Sequence, residues 1–151
     1  MKYNFLDLLI KILENSRFYP LLNREKKWYA INKSESFKKE GRDMANVYDV
    51  ANFFIDLAAH NEEDYMTNLR LNKLLYFAQG WSLASRGKPL FPESIEAWKY
   101  GPVIPEIYHK YKEHGKCLIS EVDKNYSPDV FTDEEMDLLL DVAREYGKYT
   151  S

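Results

Sequence analysis

One segment constrains the fold of this chain more than any other, because its pattern is helical yet it is apolar around most of its circumference. A helix that is apolar on most sides is buried, so we predict a central buried helix over about 68–86. Its apolar residues follow helical spacing but extend beyond one face: Leu71, Leu74, Leu75, Phe77, Ala78, Trp81, Leu83 and Ala84. Thr67 or Asn68 can cap its start, and Gly87 suits a left-handed turn at its end.

Further helices are predicted on both sides of this segment. The spacing of apolar residues predicts a helix over 46–60 that starts with an asparagine cap. A second, over 105–115, starts with proline, which suits a first helical turn. Residues 132–135 read Thr-Asp-Glu-Glu, a capping box that begins a final helix closed by Gly147. These elements predict a mainly α fold, a single helical domain with one or two short strands.

The strands are expected between the central helix and the last one. Pro89, Pro92 and Pro102 prevent a long helix in this region. Residues 95–100 suit a short extended piece, and the loose alternation over 117–122 suits a short strand.

Charge divides the chain near Met44. Residues 1–43 hold ten Lys/Arg and six Asp/Glu, a net charge of +4, whereas residues 44–151 have a net charge of −7. Residues 32–43 are polar and are interpreted as a linker. We therefore expect a domain over 44–151 and an N-terminal extension over 1–43. Either translation can begin at Met44, or the extension is a native helix that packs on the domain through Phe5, Leu9 and Ile12. The acidic domain favours a partner with a basic surface.

The extension has its own pattern. Phe5, Leu8, Leu9, Ile12 and Leu13 lie on one face of an amphipathic helix. The alternative, a signal peptide, is disfavoured because Asp7 and Lys11 interrupt the stretch and no small-residue cleavage site follows. A short strand over 28–31 is also predicted.

Composition excludes several function classes. With 45% hydrophobic residues among 151, the chain can bury a core and is not intrinsically disordered. A net charge of −3 disfavours a broadly cationic nucleic-acid binder. No apolar run approaches the ~18 residues of a membrane span. A single cysteine, Cys117, excludes an intrachain disulfide and zinc sites built on several cysteines, and fits a reducing, cytoplasmic environment.

Two weak patterns suggest catalytic or metal chemistry. Glu106 and His109 have the Glu-x-x-His spacing of di-iron bundles, which need a second such pair that the sequence lacks. Cys117 lies near His109 and His114, but a nucleophile also needs an oriented base, so we interpret this cysteine as a small buried residue in a strand. We therefore predict a protein that is not an enzyme and has no catalytic residues, no metal and no cofactor.

Two aromatic stretches suggest binding. Residues 108–112 interleave basic and aromatic side chains, which suits base stacking and phosphate contact, but a helix with Ile107, Tyr108 and Tyr111 facing the core explains them equally well. Residues 98–103 place Trp98 and Tyr100 before a sharp Gly-Pro turn. This second stretch is interpreted as a rigid corner, as an aromatic docking surface, or as both.

The chain resembles a known family in two long segments. Residues 71–81, LNKLLYFAQGW, resemble the signature helix of the Panacea domain, the SocA-like antitoxin family that includes GepA-like phage-associated proteins. Residues 97–103, AWKYGPV, and 105–108, PEIY, resemble its second signature. Residues 87–91, GKPLF, lie between the two, and residues 47–51, VYDVA, precede them. The resemblance covers about 45–147. Members usually continue past the last helix, so the resemblance also implies either that this domain is truncated at its C-terminus or that its C-terminal edge is open.

The resemblance implies a helical, cytoplasmic domain of bacteria or prophages that neutralises a co-encoded toxin by protein contact, in some members as an adaptor to a protease. The family has no established catalytic residues. Lys73, Lys99 and Tyr100 are polar or amphipathic residues inside otherwise apolar motifs, and packing explains them poorly. Together with the aromatic corner formed by Trp98, Gly101 and Pro102, they are our candidates for partner binding. The alternative is a nucleic-acid-binding regulator of a prophage or mobile element; a membrane partner is not expected.

Overall fold

Four helices and one β-hairpin form the described part of the chain. The computed structural model describes residues 44–60 and 65–147. The elements run in the order α1 (Val47–Ala59), α2 (Asn68–Arg86), β1 (Glu96–Trp98), β2 (Gly101–Val103), α3 (Pro105–Tyr111) and α4 (Asp133–Tyr146). Two 3₁₀ turns, Lys112–His114 and Pro128–Val130, follow α3 and precede α4. The mainly α fold with short strands is confirmed.

Helix α2 lies at the centre of this fold, as its sequence predicts. It contacts α1, α3, α4 and β2. Leu71, Leu75 and Ala78 are fully buried on it. The Thr67 side chain accepts the N–H of Arg70 at the start of α2, and Gly87 ends it with φ +65°. Both predicted ends are therefore confirmed.

A buried amide and a buried hydroxyl on α2 fix the loop that follows this helix. Gln79 Oε1 accepts the N–H groups of Leu90 at 2.7 Å and Phe91 at 3.3 Å, and its Nε2 donates to the Phe91 carbonyl at 2.8 Å. Ser82 Oγ donates to the Lys88 carbonyl at 2.7 Å. The loop thus folds back on α2, and Leu90 and Phe91 become fully buried.

Helix α4 packs along α2 through aromatic and ionic contacts. Tyr146 stacks on Phe77 with ring centroids 3.8 Å apart, and its hydroxyl lies 3.2 Å from Nε1 of Trp81. The buried Glu135 closes the predicted capping box with Thr132. Its other oxygen lies 3.3 Å from Arg86 of α2. The same carboxylate therefore caps α4 and joins it to α2.

The region after α3 differs from its predicted structure. The α-helix ends at Tyr111 and tightens into the 3₁₀ turn, with Gly115 at φ +55°. The strand expected over 117–122 is wrong, because no strand of the described part of the chain lies beside these residues. Ile119 instead donates its N–H to the Met66 carbonyl at 2.8 Å. Cys117 is exposed, which corrects its interpretation as a buried strand residue.

Several expectations lie outside the described residues. They are the amphipathic helix of residues 5–13, the strand over 28–31 and the linker over 32–43. Among the helices described, none has the length and apolar character needed to cross a lipid bilayer.

Glu93 gives the fold a pH-dependent contact at the start of α1. Its Oε2 accepts the N–H of Val47 at 3.0 Å. Burial raises the pKa of this carboxyl, and the nearby Glu106 and Asp49 carboxylates raise it further, while hydrogen bonds from the backbone N–H groups of Val47 and Glu93 itself lower it. Because the pKa is raised in the folded state, ionised Glu93 opposes folding as the pH rises.

We therefore expect Glu93→Gln to raise the melting temperature at pH 7, since glutamine keeps an oxygen for the Val47 N–H without the buried charge. The gain should vanish below about pH 4, where glutamate is itself neutral. Melting curves of both proteins across this pH range measure it, with the exposed Glu113→Gln as control. A lower melting temperature at pH 7 would show that α1 needs the negative charge at its start.

Candidate functional site

The β-hairpin presents its turn to solvent. Its strands are antiparallel, with Trp98 opposite Gly101, so Lys99 and Tyr100 form a two-residue loop. Tyr100 is 76% exposed. Positive φ values among the described residues occur only at glycines, and Gly101 has φ +126°. This conformation is accessible to glycine and strained for other residues, so Gly101 determines how the hairpin reverses.

Trp98 is held in place by contacts on two sides. Its Nε1 donates to Glu96 Oε2 at 2.7 Å. Its ring meets the Tyr108 ring edge to face, with centroids 4.9 Å apart and an interplanar angle of 64°. The residue nevertheless remains 38% exposed, so part of its ring lies at the surface.

A groove of about 390 Å³ lies between the hairpin and the first turns of α2. Trp98, Lys99, Tyr100 and Val103 line it from the hairpin. Asn68, Leu69 and Asn72 line it from α2, and Tyr108, Lys112 and Gly115 complete it. This size is typical of small-ligand pockets, roughly 300–1,000 Å³. We call it the hairpin groove.

Two buried asparagines fix the floor of the hairpin groove. Asn72 Nδ2 donates to both the carbonyl and Oδ1 of Asn68 at 2.9 Å. Asn72 Oδ1 accepts the N–H of Ile104 at 2.8 Å, and Asn68 Nδ2 donates to the Tyr108 carbonyl at 3.1 Å. These bonds join α2 to the end of the hairpin and to α3, so the two sides of the groove keep a fixed separation.

The hairpin groove brings together part of the predicted partner-binding set. Trp98, Lys99 and Tyr100 line it. Gly101 and Pro102 lie in β2, where they shape the hairpin. Lys73 is half-buried on α2 and does not line the groove.

Seven of the ten lining residues were not among the predicted site residues, and three of these seven have exposed side chains: Leu69, Tyr108 and Lys112. Tyr108 and Lys112 belong to the basic and aromatic stretch, whose alternation was the available signal. Ile107 and Tyr111 from that region face the core as expected, but Tyr108 remains 36% exposed. The sequence does not single out Leu69, because its pattern does not distinguish one exposed leucine of an apolar helix from the buried ones.

The geometry of the hairpin groove suits contact with side chains. Its walls are mostly aromatic and aliphatic, and the asparagine amides on its floor already bond to the protein. Within residues 44–60 and 65–147, no three His, Cys, Asp or Glu side chains converge as a metal site would require. Glu106 and His109 are exposed on α3.

A comparison with known families matches a range that holds most of the residues lining this groove. The model of a family described as "Antitoxin SocA-like, Panacea domain" matches residues 71–151. Antitoxin SocA of Caulobacter vibrioides (strain NA1000 / CB15N) is 46% identical over 76 residues, which cover 50% of this chain. The match spans 40% of the length of that curated relative. No solved structure matches the chain. The family match begins within α2, yet α1 packs on the same helix and belongs to the same core.

Proposed function

Because the chain belongs to the family of SocA-like antitoxins with a Panacea domain, we propose that it neutralises a toxin encoded beside it by direct protein contact. One observation supports a contact surface at the hairpin groove. Four of the large hydrophobic side chains exposed on the described residues line it: Leu69, Trp98, Tyr100 and Tyr108. Exposed apolar side chains that gather in one place mark interaction sites more often than scattered ones do.

The arrangement also matches the composition of protein interfaces. Tryptophan and tyrosine are enriched among the residues that carry most binding energy. Trp98 and Tyr100 are exposed at the hairpin, while Trp98 is held by Glu96 and Tyr108. We propose these two residues as the centre of the interface. A binding role of this kind requires no catalytic group, and we propose a cytoplasmic protein that acts without catalysis.

Co-expression tests this proposal. The neighbouring gene is expressed alone and together with this protein, and growth is followed in both strains. We expect growth arrest from the neighbour alone, rescue by this protein, and co-purification of the two products. Rescue without any detectable complex would reject neutralisation by binding. If the neighbouring gene is harmless and this protein binds DNA sequence-specifically, the alternative function, a nucleic-acid-binding regulator, is favoured.

The same strains distinguish two mechanisms of neutralisation. If binding alone blocks the toxin, its amount stays constant while growth recovers. If the protein is an adaptor that presents the toxin to a protease, the toxin's half-life shortens when this protein is present. Pulse-chase measurement of the toxin, with and without this protein, separates the two.

A further inference from the structure

The charge of the hairpin groove is opposite to that of the domain around it. Residues 44–151 have a net charge of −7. Lys99 and Lys112 carry the only charges among the described residues that line the groove. The local field at a contact surface governs which partner group is stabilised there, whatever the net charge of the protein.

Both lysines are available to a partner. Across residues 44–60 and 65–147, neither ammonium forms an ion pair with a carboxylate. Lys99 Nζ lies 5.1 Å from the centroid of the Tyr100 ring, which holds it beside the exposed aromatic. The nearby Glu96 carboxylate accepts the hydrogen bond of Trp98 and does not line the groove.

We infer that the hairpin groove binds an extended acidic segment of the partner, in which an Asp or Glu side chain lies beside an aromatic or aliphatic one. The carboxylate pairs with Lys99 and Lys112, and the apolar side chain packs between Trp98, Tyr108 and Leu69. This inference rests on the proposed function for the identity of the partner as a toxin. The net charge of the domain favours a partner with a basic surface, whereas the two lysines at this groove favour an acidic one.

A peptide fits these features better than a nucleic acid does. A nucleic acid brings a long row of phosphates, which the surrounding acidic domain repels. A short segment with one or two carboxylates meets the two lysines and leaves the acidic surface uncovered. Trp98 and Tyr108 also meet edge to face, so they do not form the row of parallel ring faces on which successive bases stack.

Nuclear magnetic resonance on the full ¹⁵N-labelled chain tests the inference without the toxin. The probes are a blocked pentapeptide with aspartate between two phenylalanines, the same peptide with asparagine, and adenosine monophosphate. We expect shifts at groove residues and binding of the aspartate peptide about 3–10-fold tighter than that of the asparagine peptide, the range for one or two exposed ion pairs. The preference should disappear in the Lys99→Gln/Lys112→Gln variant and persist in Lys88→Gln/Lys124→Gln, which changes two lysines outside the groove.

The outcomes against the inference are distinct. Equal binding of the two peptides overturns the inference that the groove binds an acidic segment. The absence of chemical-shift changes at the groove with either peptide overturns it as well. Tighter binding of adenosine monophosphate with the same lysine dependence overturns it in favour of a nucleotide. These measurements need no toxin, so they remain decisive if the neighbouring gene proves harmless.

Cross-linking tests the inference in the complex. A photoreactive phenylalanine derivative, which keeps an aromatic ring at this position, replaces Tyr100. The toxin is captured in cells that it would otherwise arrest, and the captured peptide is sequenced. We expect a segment with Asp or Glu next to an apolar residue. Capture of a basic segment, with growth rescue intact, would overturn the acidic segment while leaving toxin neutralisation established.

Discussion

The Trp98→Ala protein is expected to stay folded and to stop protecting cells against the toxin. Trp98 lies outside the buried core, so its removal leaves the packing of α1, α2 and α4 unchanged. At an interface, however, removing a central aromatic commonly costs about 2 kcal/mol or more, which is roughly 30-fold in affinity. Growth rescue, quantitative pull-down with the toxin and a thermal melt measure the two effects separately.

Two further variants make this result specific. Leu140→Ala is the matched control, because Leu140 is also 38% exposed but lies on α4, away from the hairpin groove. It should protect normally. Tyr100→Ala removes the most exposed aromatic of the hairpin, so its loss of protection cannot come from lost packing. Normal protection by both Trp98→Ala and Tyr100→Ala would place the interface elsewhere.

The Leu75→Ala protein is expected to lose protection for the opposite reason, because it unfolds. Leu75 is fully buried in α2, where truncation to alanine leaves a cavity and costs about 2–5 kcal/mol. Whole domains are stable by only about 5–15 kcal/mol, so this loss removes a large share of the folding free energy and raises the unfolded fraction by about 30-fold or more. Urea denaturation of the purified proteins measures it.

The matched control is Leu83→Ala on the same helix. The substitution is chemically identical and the helix propensities cancel, but Leu83 is only half-buried, so the cost should be clearly smaller. Alanine at Lys73, Lys99 or Tyr100 should leave the urea midpoint nearly unchanged. If these three variants are as unstable as Leu75→Ala, the polar positions are structural and our binding surface is misplaced.

The helices could be predicted from sequence because each carries local signals. Apolar spacing gives the buried face, and Asn46, Thr67 and Thr132 accept backbone N–H groups at the three starts where they were expected. These contacts lie within one turn of the chain. The final helix shows the limit of such signals: Gly147 ends α4 with right-handed backbone, φ −62°, so its role there is not that of a left-handed cap.

The polar anchors and the hairpin groove could not be predicted in the same way. Asn72 sits in an apolar helix, and its partner Ile104 is 32 residues away. An extended piece was expected over 95–100, but the pairing of Trp98 with Gly101 depends on a second strand beyond that range. The groove draws its lining from α2, the hairpin and the region around α3, which only the folded chain brings together.

The Asn72–Ile104 bond has a consequence for how a partner is received. It is buried and spans the floor of the hairpin groove, so opening this floor would leave a buried amide oxygen and a backbone N–H without partners, which is costly. The backbone around the hairpin groove therefore loses little conformational entropy on association. The entropic cost of ordering falls mainly on side chains at the rim, such as Tyr100 and Lys99. We expect a surface of this kind to dock as a rigid body: the partner's flexible segment adapts its shape, while this domain keeps its own.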